Sequence, residues 1–317
     1  MPIYSNKRNA LEHDQRRTQL NDQQSLNLTQ AVIARLAHTQ DARFKTLMTA
    51  LVTKLHEFIR EVDLTPEEWM AAIEFLTQTG QTCTDKRQEF ILLSDTLGAS
   101  MQVVMSAQAR ASAIAPGSTT ATAATEATVQ GPYYWAGAPH KEMGSDIAAG
   151  VAGEPAYYHG RVTDLQGTPL SGVVLDVWSG DGEGVYDMQI EGQTDMLARA
   201  RFVTGEDGRY AFWSIRPNYY PIPMDGPVGL MINKIGQHPN RPGHIHFKLS
   251  APGYVDITTH LFVANSPYID SDVVFGVRDS LIVDFQHHPP GTAHDGRTLA
   301  TPFWSASFDF CLAPVRV

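Results

Sequence analysis

The segment from Arg241 to Phe247, RPGHIHF, sets His244 and His246 two residues apart. On a strand that spacing puts both imidazoles on one face, which is half of a metal site. By itself an H-x-H pair fits two ordinary strand histidines at least as well. Tyrosines change the balance. Tyr219 and Tyr220 lie among Pro217, Pro221 and Pro223, whose fixed φ stiffens the segment without regular hydrogen bonding. Tyr186 sits in the glycine-rich SGDGEGVYDM, directly after an expected strand. Singly, each tyrosine reads as packing on its own loop or filling a sandwich edge. Together with two imidazoles they offer hard anionic oxygen. That donor set suits a trivalent iron better than zinc, which draws on Cys, His and carboxylate. Two phenolates and one hydroxide balance three positive charges. The ion would keep both phenols ionised despite the ~10 of free tyrosine. No 2-His-1-carboxylate pattern, the sign of ferrous iron, lies nearby.

These residues need a rigid frame, and the chain reads as two halves of different period. The N-terminal half is helical. Phe44, Leu47, Met48, Leu51, Leu55, Phe58 and Ile59 recur at three- and four-residue steps on one face. Thr65, Pro66 and Glu68 spell a helix start with a capping box, with Leu64 and Trp69 as its staple and Gly80 as its stop. A third helix is expected from about Asp85 to Leu97, closed by Gly98, with Phe90, Ile91 and Leu97 in its core. Residues 114–128 are Thr/Ala-rich and read as a linker. Beyond Gly131 the period turns toward two. Strands are expected near Tyr157–Asp164, Val173–Trp178, Ala200–Thr204, Tyr210–Ile215, Ile245–Leu249, Ile257–Val263 and Asp279–Phe285, separated by polar turns. Many short strands without helical crossovers predict an antiparallel sandwich or barrel and argue against a parallel sheet.

The bulk numbers exclude several roles. The chain has 317 residues, 43% hydrophobic and 18% charged, an ordinary globular balance with room for two cores. A net charge of -10 gives no attraction for nucleic acid. Two cysteines, Cys83 and Cys311, make no disulfide framework and read as structural thiols of a reducing compartment. The N-terminus has no apolar core of a signal or anchor, and no run reaches the ~18 apolar residues of a spanning helix, so a cytoplasmic protein away from membranes is expected.

The order Tyr186, Tyr220, then Arg241, His244 and His246 in R-P-x-H-I-H resembles the intradiol ring-cleaving dioxygenases. LTPEEWMAAIEFLTQTGQ, DKRQEFILLSDTLG, TEATVQGPYYWAGAP and THLFVANSPYIDSDVVFGVR resemble most their hydroxyquinol-cleaving branch, and the resemblance runs from about Leu28 to about Phe285. It implies an α+β chain, with an N-terminal helical dimerisation and linker domain over residues 1–125 and an antiparallel β-sandwich catalytic domain over 126–317. It implies a homodimer joined through the N-terminal helices, with lipid held at the seam as in relatives. It implies one Fe(III) per subunit, held by Tyr186, Tyr220, His244, His246 and a solvent hydroxide. The implied reaction uses O2 to split a small aromatic diol or triol between its adjacent hydroxyls. From hydroxyquinol the product is 3-hydroxy-cis,cis-muconate, a tautomer of maleylacetate. Tyr220 would be the labile ligand that takes a substrate proton. Arg241 would stabilise charge on the ring, with a plain salt bridge as the alternative.

The same resemblance implies a substrate pocket of Leu92, Asp95, Val129, Gly131, Pro132, Tyr133, Ile222, Pro223, Arg241, His260 and Val274. Asp95 stands where catechol-cleaving relatives usually carry an apolar residue or proline. It would accept a hydrogen bond from a third hydroxyl; the alternative is a helix-surface carboxylate. Tyr133 departs from the phenylalanine common in the hydroxyquinol branch, and its hydroxyl would either narrow the pocket or bond to substrate. His260 stands where many catechol-cleaving members have glutamine. A catechol or chlorocatechol 1,2-dioxygenase is the sibling reading, against which Asp95 and His260 argue. A transthyretin-like binding module would suit GRVTDLQGTPLSGVVLDVW, yet has no reason to carry the Tyr186, Tyr220, His244, His246 set. After His287 the pattern gives out. His287, His288 and His294 suggest a metal, and a solvated tail is preferred.

Overall fold

The computed structural model describes residues 23–112 and 123–315. The N-terminal start and most of the expected linker lie outside the described residues. By compactness the chain divides into Met1–Phe75 and Leu76–Val317.

In the first unit, residues 23–34 (α1) are helical, followed by α2 (Ala42–Glu61) and the start of α3 (Pro66–Thr82). Asp41 caps α2 by accepting from the Phe44 amide at 2.9 Å. The capping box of α3 forms as the sequence predicts: the Glu68 amide donates to Thr65 Oγ1 and the Thr65 amide to Glu68 Oε2. Phe44, Leu47, Leu51, Leu55 and Phe58 all lie exposed along α2, and none of its residues is buried.

In the second unit α3 runs on past Gly80, which is no stop. A Cβ there would meet the Phe90 ring at 3.4 Å, so the glycine serves packing. The next helix, α4 (Glu89–Thr96), starts later than expected, because Thr84 Oγ1 accepts from the Lys86 and Arg87 amides and makes a turn first. Its buried side is also different. Glu89, Leu92, Leu93, Asp95 and Thr96 are inside, whereas Phe90, Ile91 and Leu97 are exposed. Apolar type alone misassigned the phase of this short helix. Gly98, at φ +70°, closes it as expected, and α5 (Ala99–Ser112) follows.

The strands, in chain order, are β1 (Pro155–Asp164), β2 (Val174–Trp178), β3 (Arg199–Val203), β4 (Arg209–Ile215), β5 (Tyr220–Pro221), β6 (Asn240–Arg241), β7 (His244–Ser250), β8 (Ile257–Val263), β9 (Ile282–Val283), β10 (Gln286–His288), β11 (Gly291–Thr292), β12 (Thr298–Leu299), β13 (Phe303–Ser307) and β14 (Phe310–Leu312). One sheet has the order β3-β2-β7-β8-β9; the other has β10-β13-β1-β14, with β4 also on β1. Leu175, Val177, Phe202, Ile245, Phe247 and Leu249 of the first sheet share one core with Tyr158, Val162, Phe212 and Phe310 of the second. The sandwich is mostly antiparallel, but β13 and β14 run parallel to β1, and β9 parallel to β8. The C-terminal stretch is therefore no solvated tail: Phe310 and Leu312 are fully buried. These strands are too short for their alternation to stand out from the polar turns around them. A helix unforeseen in the sequence, α6 (Pro227–Ile235), begins on a proline and ends on Gly236 at φ +77°.

The end of the expected linker is also bound into the sandwich. Thr125 exchanges hydrogen bonds with Cys311, the Thr128 hydroxyl donates to the Gly276 carbonyl, and Glu126 holds Arg278 and Ser280. Among the described residues no single helix is long and apolar enough to cross a membrane. The bent pair α4 and α5 passes by length and composition only, and Leu92, Leu93 and Met101 of that pair are buried in the protein.

Candidate metal centre and adjoining cavity

Strand β7 is central in its sheet, registered between β2 and β8. Ile245 and Phe247 point to the sandwich core, so His244 and His246 share the opposite face, both buried. Trp178 lies opposite His246 on β2 and stacks on its ring at 4.6 Å. His260 lies opposite it on β8. The His244 Nδ1–H donates to the Pro242 carbonyl at 2.7 Å, which leaves the Nε2 lone pair facing inward.

Tyr186 opens a short 3-10 turn, and its amide donates to Gln189 Oε1. Behind it Asp187 forms a buried two-point ion pair with Arg199. Gly184 makes the approach of this loop possible. It adopts φ +83°, and a Cβ there would sit 2.3 Å from Tyr220 Cβ. Tyr220 in turn pairs with Arg241 across β5 and β6. Gly131, at φ +76°, brings its backbone against His246.

The four side chains converge. Tyr186 Oη is 2.8 Å from His246 Nε2 and 3.3 Å from Tyr220 Oη, which is 3.5 Å from His244 Nε2. Arg241 donates from Nη1 to His244 Nε2 at 3.0 Å, while Asp272 holds the other edge of the guanidinium at 3.0 and 3.1 Å. Ligand atoms of His244, His246 and His260 lie within 4.8 Å of one another, so the cluster can hold a metal ion. His246 Nδ1 is buried without a hydrogen-bond partner among the described residues, and His260 has only the Val129 backbone within polar reach. Burial keeps all three imidazoles well below the ordinary histidine range, hence neutral and fit to ligate. Burial also pushes the Tyr186 and Tyr220 phenols up, with Arg241 pulling the other way. A cation among them would reverse that balance. Arg241 stays charged: burial opposes its charge, and Asp272 with the two tyrosines outweighs it. Two phenol oxygens and neutral imidazoles make a donor set that fits a hard trivalent ion. Tyr219, the other tyrosine of its pair, is 39% exposed and packs on Tyr268 away from this centre.

A cavity of about 430 Å³ adjoins the tyrosines, its wall including Leu92, Pro132, Tyr133 and Pro223. Tyr133 stacks on Tyr186 at 4.7 Å. Val129, Ile222 and Val274 are buried but not on this wall. Asp95 is buried too; burial raises its carboxyl, and the Ser100 hydrogen bond and Arg241 oppose that. Several wall residues were not legible in the sequence: Thr84, Lys86, Arg87, Gln88, Glu89, Met188, Gln189 and Asp225. Met188 and Gln189 follow Tyr186 closely enough to have been inferred from it. Arg87 reaches Asp225 only through the fold, as Arg241 reaches Asp272. The C-terminal histidines are elsewhere: His288 and His294 line a groove with His159 on the other sheet.

Comparison with known proteins identifies the family. A family profile described as Dioxygenase matches residues 129–314, and one described as Catechol dioxygenase N terminus matches residues 41–114. A 6-chlorohydroxyquinol 1,2-dioxygenase of Cupriavidus pinatubonensis is 48% identical over 91% of this chain and 97% of its own. A hydroxyquinol 1,2-dioxygenase of a Rhizobium species is 44% identical over 90% and 94%. The solved structure of hydroxyquinol 1,2-dioxygenase from Pseudomonas putida DLL-E4 superposes with a TM-score of 0.79 at 40% identity, covering 93% of this chain and 100% of that one.

Proposed function

This chain belongs to the intradiol ring-cleaving dioxygenases, enzymes that are oxidoreductases, and from that premise we propose that it cleaves hydroxyquinol with O2 at an iron(III) centre. Membership of an enzyme family sets aside the non-enzymatic binding module. The observation that carries the reading is the convergence of Tyr186 Oη, Tyr220 Oη, His244 Nε2 and His246 Nε2, which we assign as the ligands of one iron per subunit. Iron(III) bound there supplies a Lewis acid for the two adjacent hydroxyls and an electron acceptor for the ring.

The chain's own residues do the rest. Tyr220 Oη takes one of the two protons of the incoming diol. Arg241 holds a fixed positive charge beside the ring, oriented by Asp272, and stabilises the negative charge that develops there without reorganisation. Leu92, Pro132 and Pro223 close on the ring faces and exclude water. Gly131 and His260 lie against His246, on the ligand side of the site. Val129, Ile222 and Val274 are assigned behind the cavity wall, and Asp95, buried and off that wall, is assigned to accept from the third hydroxyl. The ring opens to 3-hydroxy-cis,cis-muconate, which tautomerises to maleylacetate. A chlorinated hydroxyquinol is the second reading, favoured by the 48% identity to a 6-chlorohydroxyquinol enzyme. The exposed apolar stripe of α2 supports a homodimer built through the N-terminal helices.

Oxygen uptake by the iron-loaded protein on hydroxyquinol, chlorohydroxyquinol and catechol, with boiled-enzyme controls, tests this. Maleylacetate from hydroxyquinol with little uptake on catechol is the expected result. Preference for catechol would move the chain to the sibling branch, and no uptake on any ring would refute the proposal.

A further inference from the structure

Asp272 holds the Arg241 guanidinium, and both chain neighbours of Asp272 are tied to the stretch just before Arg241. The Val273 amide donates to the Asn240 carbonyl at 3.3 Å. On the other side, His238 Nε2 lies 3.0 Å from Ser271 Oγ. The second ring nitrogen of His238, Nδ1, is 3.1 Å from the Asn240 amide nitrogen. An amide N–H can only donate, so Nδ1 is the acceptor and Nε2 carries the proton offered to Ser271. One neutral imidazole thus bridges the two segments that carry Arg241 and Asp272. Asn240 and Arg241 pair in turn with Pro221 and Tyr220. Tyr268 packs on the imidazole, with ring centroids 4.6 Å apart, and on Tyr219 at 5.3 Å. Its backbone is left-handed, at φ +66°, a conformation that a non-glycine residue keeps only where its surroundings impose it.

We propose that His238 is a positioning residue for Arg241, and that only its neutral form serves. Protonation turns Nδ1 into a donor facing another donor. The Asn240 amide then loses its acceptor, and the bridge opens at the end next to Arg241. Histidine is the side chain whose ordinary range places such a change between about pH 5 and 8. This rests on the reading of Arg241 as the charge beside the reacting ring. The elements around the imidazole carry Tyr268, Asp270 and Asp272 on the loop, Tyr219 ahead of β5, and Lys234 and Arg241 on its own stretch. Among the described residues none of these is hydrogen-bonded to it, and Tyr268 is in ring contact.

Two variants separate positioning from a merely structural tie. His238→Asn keeps an acceptor for the Asn240 amide that never protonates, and gives up the Ser271 contact. His238→Leu keeps bulk and has no acceptor. Iron-loaded wild type and both variants are assayed on hydroxyquinol from about pH 8 down to about pH 5.5, with iron content checked throughout. At the upper end His238→Asn matches the wild-type kcat, and His238→Leu is about fivefold lower, with KM little changed in either. At the acid end wild type falls to the level of His238→Leu, and His238→Asn exceeds both about fivefold. Amide hydrogen exchange of residues 238–243, corrected for intrinsic rates, accelerates with acid in wild type and not in His238→Asn. Should His238→Leu lose iron, the wild-type and His238→Asn profiles decide. Parallel pH profiles for those two would overturn the assignment and leave the ring-cleavage reading standing. Wild-type protein that turns over no ring would refute that reading; exchange protection independent of pH would then overturn the bridge as well.

Discussion

Arg241 carries a full charge where water cannot reach it, and Asp272 fixes its plane. A lysine would keep the charge but lose the two-point hold and the planar fork. Arg241→Lys is therefore expected to lower kcat about 100-fold, on the scale of losing one preorganised electrostatic group. Iron content, read by atomic absorption, stays unchanged. Tyr186 differs, because its oxygen is assigned to the metal itself. Tyr186→Phe is expected to abolish the visible tyrosinate-to-iron(III) charge-transfer band, or shift it, and to reduce bound iron. A variant with full iron content and an unaltered spectrum would remove Tyr186 from the ligand set. At this scale the sequence was partly legible: Tyr186, Tyr220, His244 and His246, picked out by type and order, are side chains that the fold brings together. Asp272 and Arg87 were not legible, because a partner's identity depends on folding that no local spacing encodes.

Elements carry these side chains to one place. The loop before Tyr186 approaches Tyr220 only because Gly184 has no Cβ. Gly184→Ala imposes both a left-handed backbone and a clash, so it is expected to destabilise by more than about 1 kcal/mol and to broaden the charge-transfer band. The segment ahead of β1 is tied down by Glu126. Burial alone would raise its carboxyl; the Ser280 and Arg278 hydrogen bonds outweigh burial and hold it low. A carboxylate whose folded pKa is depressed contributes stability above its unfolded value, and that stability is lost as pH falls through the folded one. Glu126→Gln should thus lower the melting temperature at neutral pH. The gap from wild type should close as pH drops below the ordinary glutamate value of about 4.3. A gap independent of pH would mean that packing, not charge, holds the segment. Helix α4 shows why element boundaries and faces were only partly legible. Its apolar residues surround it, so composition could not say which of them the fold would cover.

For the whole molecule, the exposed stripe from Phe44 to Phe58 is the consequence to test. A pair of copies joined through it should separate when Leu51→Glu and Phe58→Glu are combined. Light scattering is expected to show a fall from dimer to monomer mass, with the iron spectrum retained. Retention of dimer mass would place the interface elsewhere. The C-terminal strands matter at the same scale. Because β13 and β14 pair with β1, truncation before Phe303 is expected to unfold the sandwich rather than trim an end, read as loss of the cooperative melt.

The sequence by itself determined the helical and then strand-rich order, the capping of α3, and which tyrosines and histidines could meet. Each of these is written in residue type and in spacing of two, three or four, which the backbone converts directly into a shared face. Tertiary structure alone decided the parallel closure by β13 and β14, the buried phase of α4, the clasp of Arg87 on Asp225, and the Tyr133 hydroxyl left unmatched among the described residues. Those features join residues distant in the chain or depend on what is left without a partner. Whether a polar atom is satisfied is a property of its surroundings, and they exist only once the chain has folded.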